Sequence, residues 1–106
     1  MKEVQAAIRE FNQERNWKQF HTPENLSKSI AIEAGELLEC FQWSNEYKLQ
    51  EVKEELADVM MYCLMLADAI GVDPKEIMLE KLSKNAEKYP VEKAKGNSKK
   101  YTELND

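Results

Sequence analysis

Apolar residues recur along this chain at intervals of three and four, the spacing that lines one face of a helix. Val4, Ala7, Ile8 and Phe11 mark a first helix over roughly residues 2–15. Thr22-Pro23 joins a capping side chain to a proline suited to the first helical position, and opens a second helix running to about Asn45. Leu49, Val52, Leu56, Val59, Cys63, Leu66 and Ile70 define a third, from about Lys48 to Ile70, which Gly71 stops. Asp73-Pro74 repeats the cap-then-proline signal for a fourth, ending before Pro90. The remainder, VEKAKGNSKKYTELND (91–106), predicts a tail with little structure of its own, and no segment predicts a strand.

Composition narrows this to one compact all-α domain over residues 1–106. The length suits one hydrophobic core and not two. With 42% apolar residues and only three Gly and three Pro, folding is favoured over disorder. No apolar stretch approaches a membrane span and no signal peptide opens the sequence, so the expected setting is cytoplasmic, with no membrane partner. Cys40 and Cys63 fall in helical segments without CxxC spacing, and read as reduced core residues.

Charge sharpens the picture. The net charge of -5 argues against a nucleic-acid polymer as partner. Between Glu33 and Asp58 eight acids face only Lys48 and Lys53, while Lys75 to Lys100 carries eight lysines against four glutamates. Ordinary solvated helix faces would give such runs. So would a protein that holds a metal with one part and phosphates with another.

The acids that matter lie inside an apolar run, SIAIEAGELLECFQW. At about 100° per residue, Glu33 points between Leu26 and Cys40, bordering the stripe of Leu26, Ile30, Leu37 and Phe41, with Glu36 roughly 60° to one side. On the third helix Glu51, Glu55, Asp58 and Tyr62 form a line away from the apolar stripe. Each helix thus offers an acid pair at i and i+3, Glu33 with Glu36 and Glu55 with Asp58. Antiparallel packing through the two apolar stripes would bring the pairs together. Clustered carboxylates repel, so the arrangement makes sense if a cation holds them. Ligation by oxygen alone selects a hard ion, Mg²⁺ first and Mn²⁺ as its substitute. A single pair of this kind is ordinary on an exposed helix; two pairs beside two core stripes read equally as a metal site and as structural helix faces. A bundle di-iron site would need Glu-x-x-His motifs, and the only histidine is His21.

Glu33-x-x-Glu36, eighteen intervening residues, then Glu55-x-x-Asp58 resembles the signature of the MazG-like all-α nucleoside triphosphate pyrophosphohydrolases. FNQERNWKQFHTPENL, EAGELLECFQW, EELADVMMYCLMLA, KLSKNAEKYPV and KGNSKKYT resemble, in order, blocks of the dCTP pyrophosphatase branch, over roughly residues 8–102. The resemblance implies a four-helix bundle that works as a homo-oligomer, a dimer or commonly a tetramer. It also implies Mg²⁺ on Glu33, Glu36, Glu55 and Asp58, and release of pyrophosphate from a nucleoside triphosphate. Glu36 and Glu33 are then the candidates for proton transfer. The chain departs from some members at Ile8, where they carry His, and at Ala86, where they carry a basic residue.

The same resemblance assigns the remaining candidates. The polar connector NWKQFHTPEN holds Trp17, Phe20 and His21, which read as packing on their own but would enclose a base together with Trp43. Tyr62, Lys81, Asn85, Lys88 and Tyr89 would contact substrate, and Lys100-Tyr101 would close over the site. Ile32, Leu38, Met61 and Met65 point away from the stripes already used and predict an intersubunit face. Two other readings remain open. One is a non-enzymatic helical dimerisation module that binds partners through its lysine-rich tail. The other is a hydrolase of a different pyrophosphate compound, such as a nucleotide sugar.

Overall fold

The computed structural model describes residues 1–96. Its order is α1 (Lys2–Glu14), a 3₁₀ turn (Lys18–Phe20), α2 (Pro23–Glu39), α3 (Leu49–Ala69), α4 (Pro74–Lys88) and α5 (Val91–Ala94), with no strand among the described residues. The all-α expectation holds. The tail reading is corrected by one turn of helix at α5, where the Lys93 and Ala94 N–H groups donate to the Pro90 carbonyl.

Capping chemistry sets the helix starts. The Thr22 hydroxyl accepts from the Asn25 N–H, and the Asp73 carboxylate accepts from the Lys75 and Glu76 N–H groups, with proline next in sequence at both places. Gly71 adopts φ +73°, and the Gly71 and Val72 N–H groups donate to the Asp68 and Ala67 carbonyls, closing α3 as glycine closes helices generally. The second helix ends at Glu39 and not near Asn45. The Cys40, Phe41 and Gln42 N–H groups turn back to carbonyls three residues away, and the Ser44 hydroxyl then takes the Glu46 N–H. Such side-chain bonds compete with helical ones. Trp43 is therefore a loop residue.

The chain forms two compact units, Met1–Val72 and a second that begins at Asp73. In the first, α2 packs chiefly on α3, and α1 joins α3 more lightly. The inward stripe of α2 is Leu26, Ile30, Glu33, Leu37 and Cys40, spaced four, three, four, three. On α3 the half-buried line includes Val52, Glu55, Asp58, Val59 and Tyr62, leading to the buried Leu64 and Ala67. Two of these α3 positions, Glu55 and Asp58, lie on the side expected to be polar, so the acids sit at the helix–helix contact itself. The apolar line Leu49, Leu56, Met60 and Ile70 remains exposed. Cys63 shares that exposed line, which corrects its reading as a core residue; Cys40 is half-buried, and both thiols are free. Met61 and Met65 are likewise half-buried, so Met60 and Leu56 take the outward role given to them, while Ile32 and Leu38 are outward as expected. α1 shows the same rotation: Ile8 and Asn12 are buried, and Val4 and Phe11 are not.

The second unit contains α4 and α5. Along α4, Ile77, Met78, Leu79 and Leu82 are exposed and Pro74 is buried. No helix among the described residues is long and apolar enough to cross a membrane.

Candidate active site

One carboxylate oxygen from each of Glu33, Glu55 and Asp58 lies within 4.8 Å of the other two. All three residues are half-buried, because Glu33 occupies the middle of the inward stripe of α2 and the other two face it from α3. Glu36, one turn on from Glu33, is exposed, with its carboxyl within hydrogen-bonding reach of Glu33 and Glu55.

The electrostatics follow from this crowding. A hydrogen bond to Glu36, burial, and repulsion from Glu36, Asp58 and Glu55 push the Glu33 carboxyl up to about 7 from its ordinary 4.5. Glu55 is raised as well, first by burial and then by the charge of Glu36. Without a cation the cluster relieves its repulsion by holding a proton.

Two oxygens identify what is lacking. Glu33 Oε2 and Glu55 Oε2 are buried and accept no hydrogen bond. Buried polar atoms are nearly always paired, and an unpaired carboxylate oxygen is among the most costly exceptions. A divalent ion would satisfy both atoms and remove the repulsion, and the all-oxygen donor set fits a hard cation. These residues fit a metal.

The aromatic candidates are distributed less simply. Trp17 follows α1, 44% exposed, with its ring edge-on to Phe11 at 5.8 Å, and the Arg15 guanidinium lies 3.7 Å over the Phe11 ring. Phe20 is exposed in the 3₁₀ turn, and its carbonyl accepts from the Asn25 side chain. His21 is half-buried and ends that turn. Trp43 is 89% exposed, in the loop beyond the other end of α2. The seventeen residues of α2 lie between the two tryptophans in sequence. Tyr62 lies one turn beyond Asp58, half-buried on the same face. Lys81, Asn85, Lys88 and Tyr89 belong to α4 and its end in the second unit, with Asn85 and Tyr89 half-buried. Lys100 and Tyr101 lie outside the described residues.

The sequence reading missed a cavity of about 350 Å³ enclosed by the end of α1, the turn before α2 and the last turns of α3. Ile8, Asn12, His21, Leu64, Met65 and Asp68 line it. At its edge Asp68 accepts from both Nε and Nη2 of Arg9, at 2.9–3.1 Å, and this holds the Asp68 carboxyl below its usual range. A signal for the cavity was present: Asn12 continues the Val4–Ile8 step of α1 by four residues, a polar residue where the stripe calls for an apolar one.

A model of the MazG-like family matches residues 28–104. The chain belongs to the MazG-like family. dCTP pyrophosphatase 1 of Homo sapiens is 36% identical to this MazG-like chain over 114 aligned positions, covering 98% of it and 67% of the human protein. The protein of the same name from Mus musculus is 34% identical with the same coverage. The fold is similar to that of a pyrophosphatase from Archaeoglobus fulgidus solved by crystallography, with a TM-score of 0.80 and 42% identity over 85% of this chain and 92% of that one. The resemblance carried by the acid signature and the FQW and WKQFH blocks is thereby shown, and the chain is an enzyme of the MazG-like pyrophosphohydrolase class.

Proposed function

We propose that this chain, as one MazG-like domain, is a divalent-metal-dependent hydrolase converting a (deoxy)nucleoside triphosphate and water to the monophosphate and pyrophosphate, with dCTP or a modified dCTP favoured. The observation that carries the reading is the acid cluster with its two buried, unpaired carboxylate oxygens. The names of the relatives support the pyrophosphate-releasing reaction and the cytosine base.

Glu33, Glu55 and Asp58, with Glu36 beside them, would hold Mg²⁺, for which Mn²⁺ can substitute. When bound, the ion supplies neutralisation of the triphosphate and of the charge that develops as the phosphoryl bond breaks. Water attacks the α-phosphorus, the bond to the α–β bridging oxygen breaks, and pyrophosphate leaves with that oxygen. Glu36, exposed beside the cluster, would take the proton of the attacking water. Glu33, one turn before Glu36 and at the centre of the cluster, is the second candidate for proton transfer.

The active form is a homo-oligomer, a dimer or tetramer. Among the described residues the buried apolar side chains are few, Ile8, Leu26, Leu64, Ala67 and Pro74, while Ile32, Leu38, Leu56, Met60 and Ile70 are exposed. Exposed apolar surface of this extent marks an interface.

A panel of nucleoside triphosphates and nucleotide sugars, assayed with Mg²⁺ for pyrophosphate against orthophosphate, tests the reading. Pyrophosphate and dCMP from dCTP are expected. Orthophosphate alone, turnover of nucleotide sugars only, or no turnover would overturn it.

A further inference from the structure

The link between the two acid-bearing helices, residues 40–48, is short and tied internally. The Cys40, Phe41 and Gln42 N–H groups donate to the Leu37, Leu38 and Glu39 carbonyls, and the Ser44 hydroxyl accepts from the Glu46 N–H. Near the two ends Phe41 and Tyr47 meet ring to ring, with centroids 5.2 Å apart and planes tilted by 58°. That contact closes the loop, and the closed loop carries Trp43, which is 89% exposed. An indole so exposed adds little to the packing of its own chain.

The loop leaves α2 beside the acids. Cys40, its first residue, donates its thiol to the Glu36 carbonyl, with Sγ 3.8 Å from the oxygen. Burial, and then the charges of Glu55 and Glu51, push that thiol up. Three steps of chain keep Trp43 within about 11 Å of Cys40 even at full extension. At the far end Lys48 pairs with Glu51 at 3.9 Å. Both roots of the loop therefore lie by the candidate metal ligands, and a ring carried on it stays in their neighbourhood.

We propose that Tyr47 is a positioning residue: packed on Phe41, it holds the 40–48 loop closed so that Trp43 stands ready to stack on the base of the substrate. The inference rests on the nucleotide-hydrolase reading, in which Trp43 encloses the base, and adds to it the residue that sets the place of that tryptophan. The contact is made by the two rings, so the Tyr47 hydroxyl is dispensable to it. An aromatic pair of this geometry shifts a two-state loop equilibrium severalfold, and affinity falls with the fraction of loops left closed. Loss of the brace is a loss of binding and not of chemistry, because the acids are held by the α2–α3 contact.

Tryptophan occurs only at positions 17 and 43, so in a Trp17→Phe background the emission reports Trp43 alone. In that background and without nucleotide, Tyr47→Ala should lower the fluorescence anisotropy of Trp43, and Tyr47→Phe, which keeps the ring, should not. With both tryptophans present, and with Mg²⁺ and dCTP, Tyr47→Ala should raise KM about fivefold at unchanged kcat, and Tyr47→Phe should behave as the parent. Added to Trp43→Ala, the Tyr47→Ala change should have no further effect on KM. Phe41→Leu removes the partner ring and should reproduce Tyr47→Ala, so it takes over if the alanine variant does not fold. Unchanged anisotropy, a KM raised equally by Tyr47→Phe, an additive effect on Trp43→Ala, or a fall in kcat alone overturns the inference. So does a lower melting temperature with KM unchanged, which marks a purely structural contact. If dCTP is not hydrolysed at all, the proposed function falls, and the anisotropy alone decides whether Tyr47 holds Trp43.

Discussion

Glu33 on α2 meets Asp58 on α3 with carboxylate oxygens within 4.8 Å, inside the contact between the two helices. Two like charges there oppose the packing that brings them together, and Glu55 completes the conflict. The fold keeps at its centre a feature that favours binding over stability.

Replacing Glu33, Glu55 or Asp58 by the neutral amide should lower kcat about 100-fold or more, a loss of the size seen when a group stabilising transition-state charge is removed. Circular dichroism should show the helices intact. In metal-free buffer at pH 7.5 each variant should melt as high as the parent or higher. Added Mg²⁺ should raise the melting temperature of the parent and raise that of the variants less. A Glu33→Gln, Asp58→Asn double variant with full activity would falsify the metal-site assignment.

The raised Glu33 carboxyl fixes the sign of the pH dependence. Between its ordinary 4.5 and about 7, the folded protein holds a proton that the unfolded chain has released. The stability contributed by this group is complete below that window and is lost as pH rises through it. Metal-free protein should therefore show a melting temperature that declines from about pH 5 to pH 7.5, with the slope reduced in Glu33→Gln. A profile that rises over this range would show that the carboxyl is not perturbed upward.

Leu56 and Met60 lie one turn apart on the exposed face of α3, 44% and 54% exposed. Glutamate at both positions should shift the protein to a smaller species in multi-angle light scattering and reduce activity with it. A parent that is monomeric at micromolar concentration would remove the intersubunit account of this face.

Trp17→Ala and Trp43→Ala should each raise KM for dCTP with little change in kcat, since stacking holds ground and transition states alike. Mixing the two variants, denatured and refolded together, tests where the indoles come from. If a site takes one tryptophan from each protomer, about a quarter of dimer sites regain both, and low-KM activity returns in that proportion. No recovery on mixing places both effects within one chain.

The helix starts, the stop at Gly71 and the presence of an acid pair on each of α2 and α3 were legible from sequence, because capping and i, i+3 spacing are local. Thr22-Pro23, Asp73-Pro74 and Gly71 act through bonds that span only a few residues, so their chemistry fixes where α2 and α4 begin and where α3 ends. The end of α2 was not legible, since the bonds of Cys40 to Gln42 and the Ser44 hydroxyl compete locally with a pattern that would otherwise continue. Neither was the inward face of α1 or α3. An apolar stripe reports that some surface will cover it, without saying whose. Of that stripe on α3, Leu49, Leu56, Cys63 and Ile70 stay exposed within the chain and Val52, Val59 and Leu66 are half-buried, while Glu55, Asp58 and Tyr62 turn toward α2. Only tertiary packing decided that the acids meet at the helix contact, that two of their oxygens are buried without partners, and that Asn12 closes a cavity. Each of these depends on residues far apart in sequence, where burial converts charge and hydrogen-bonding capacity into a requirement for a ligand.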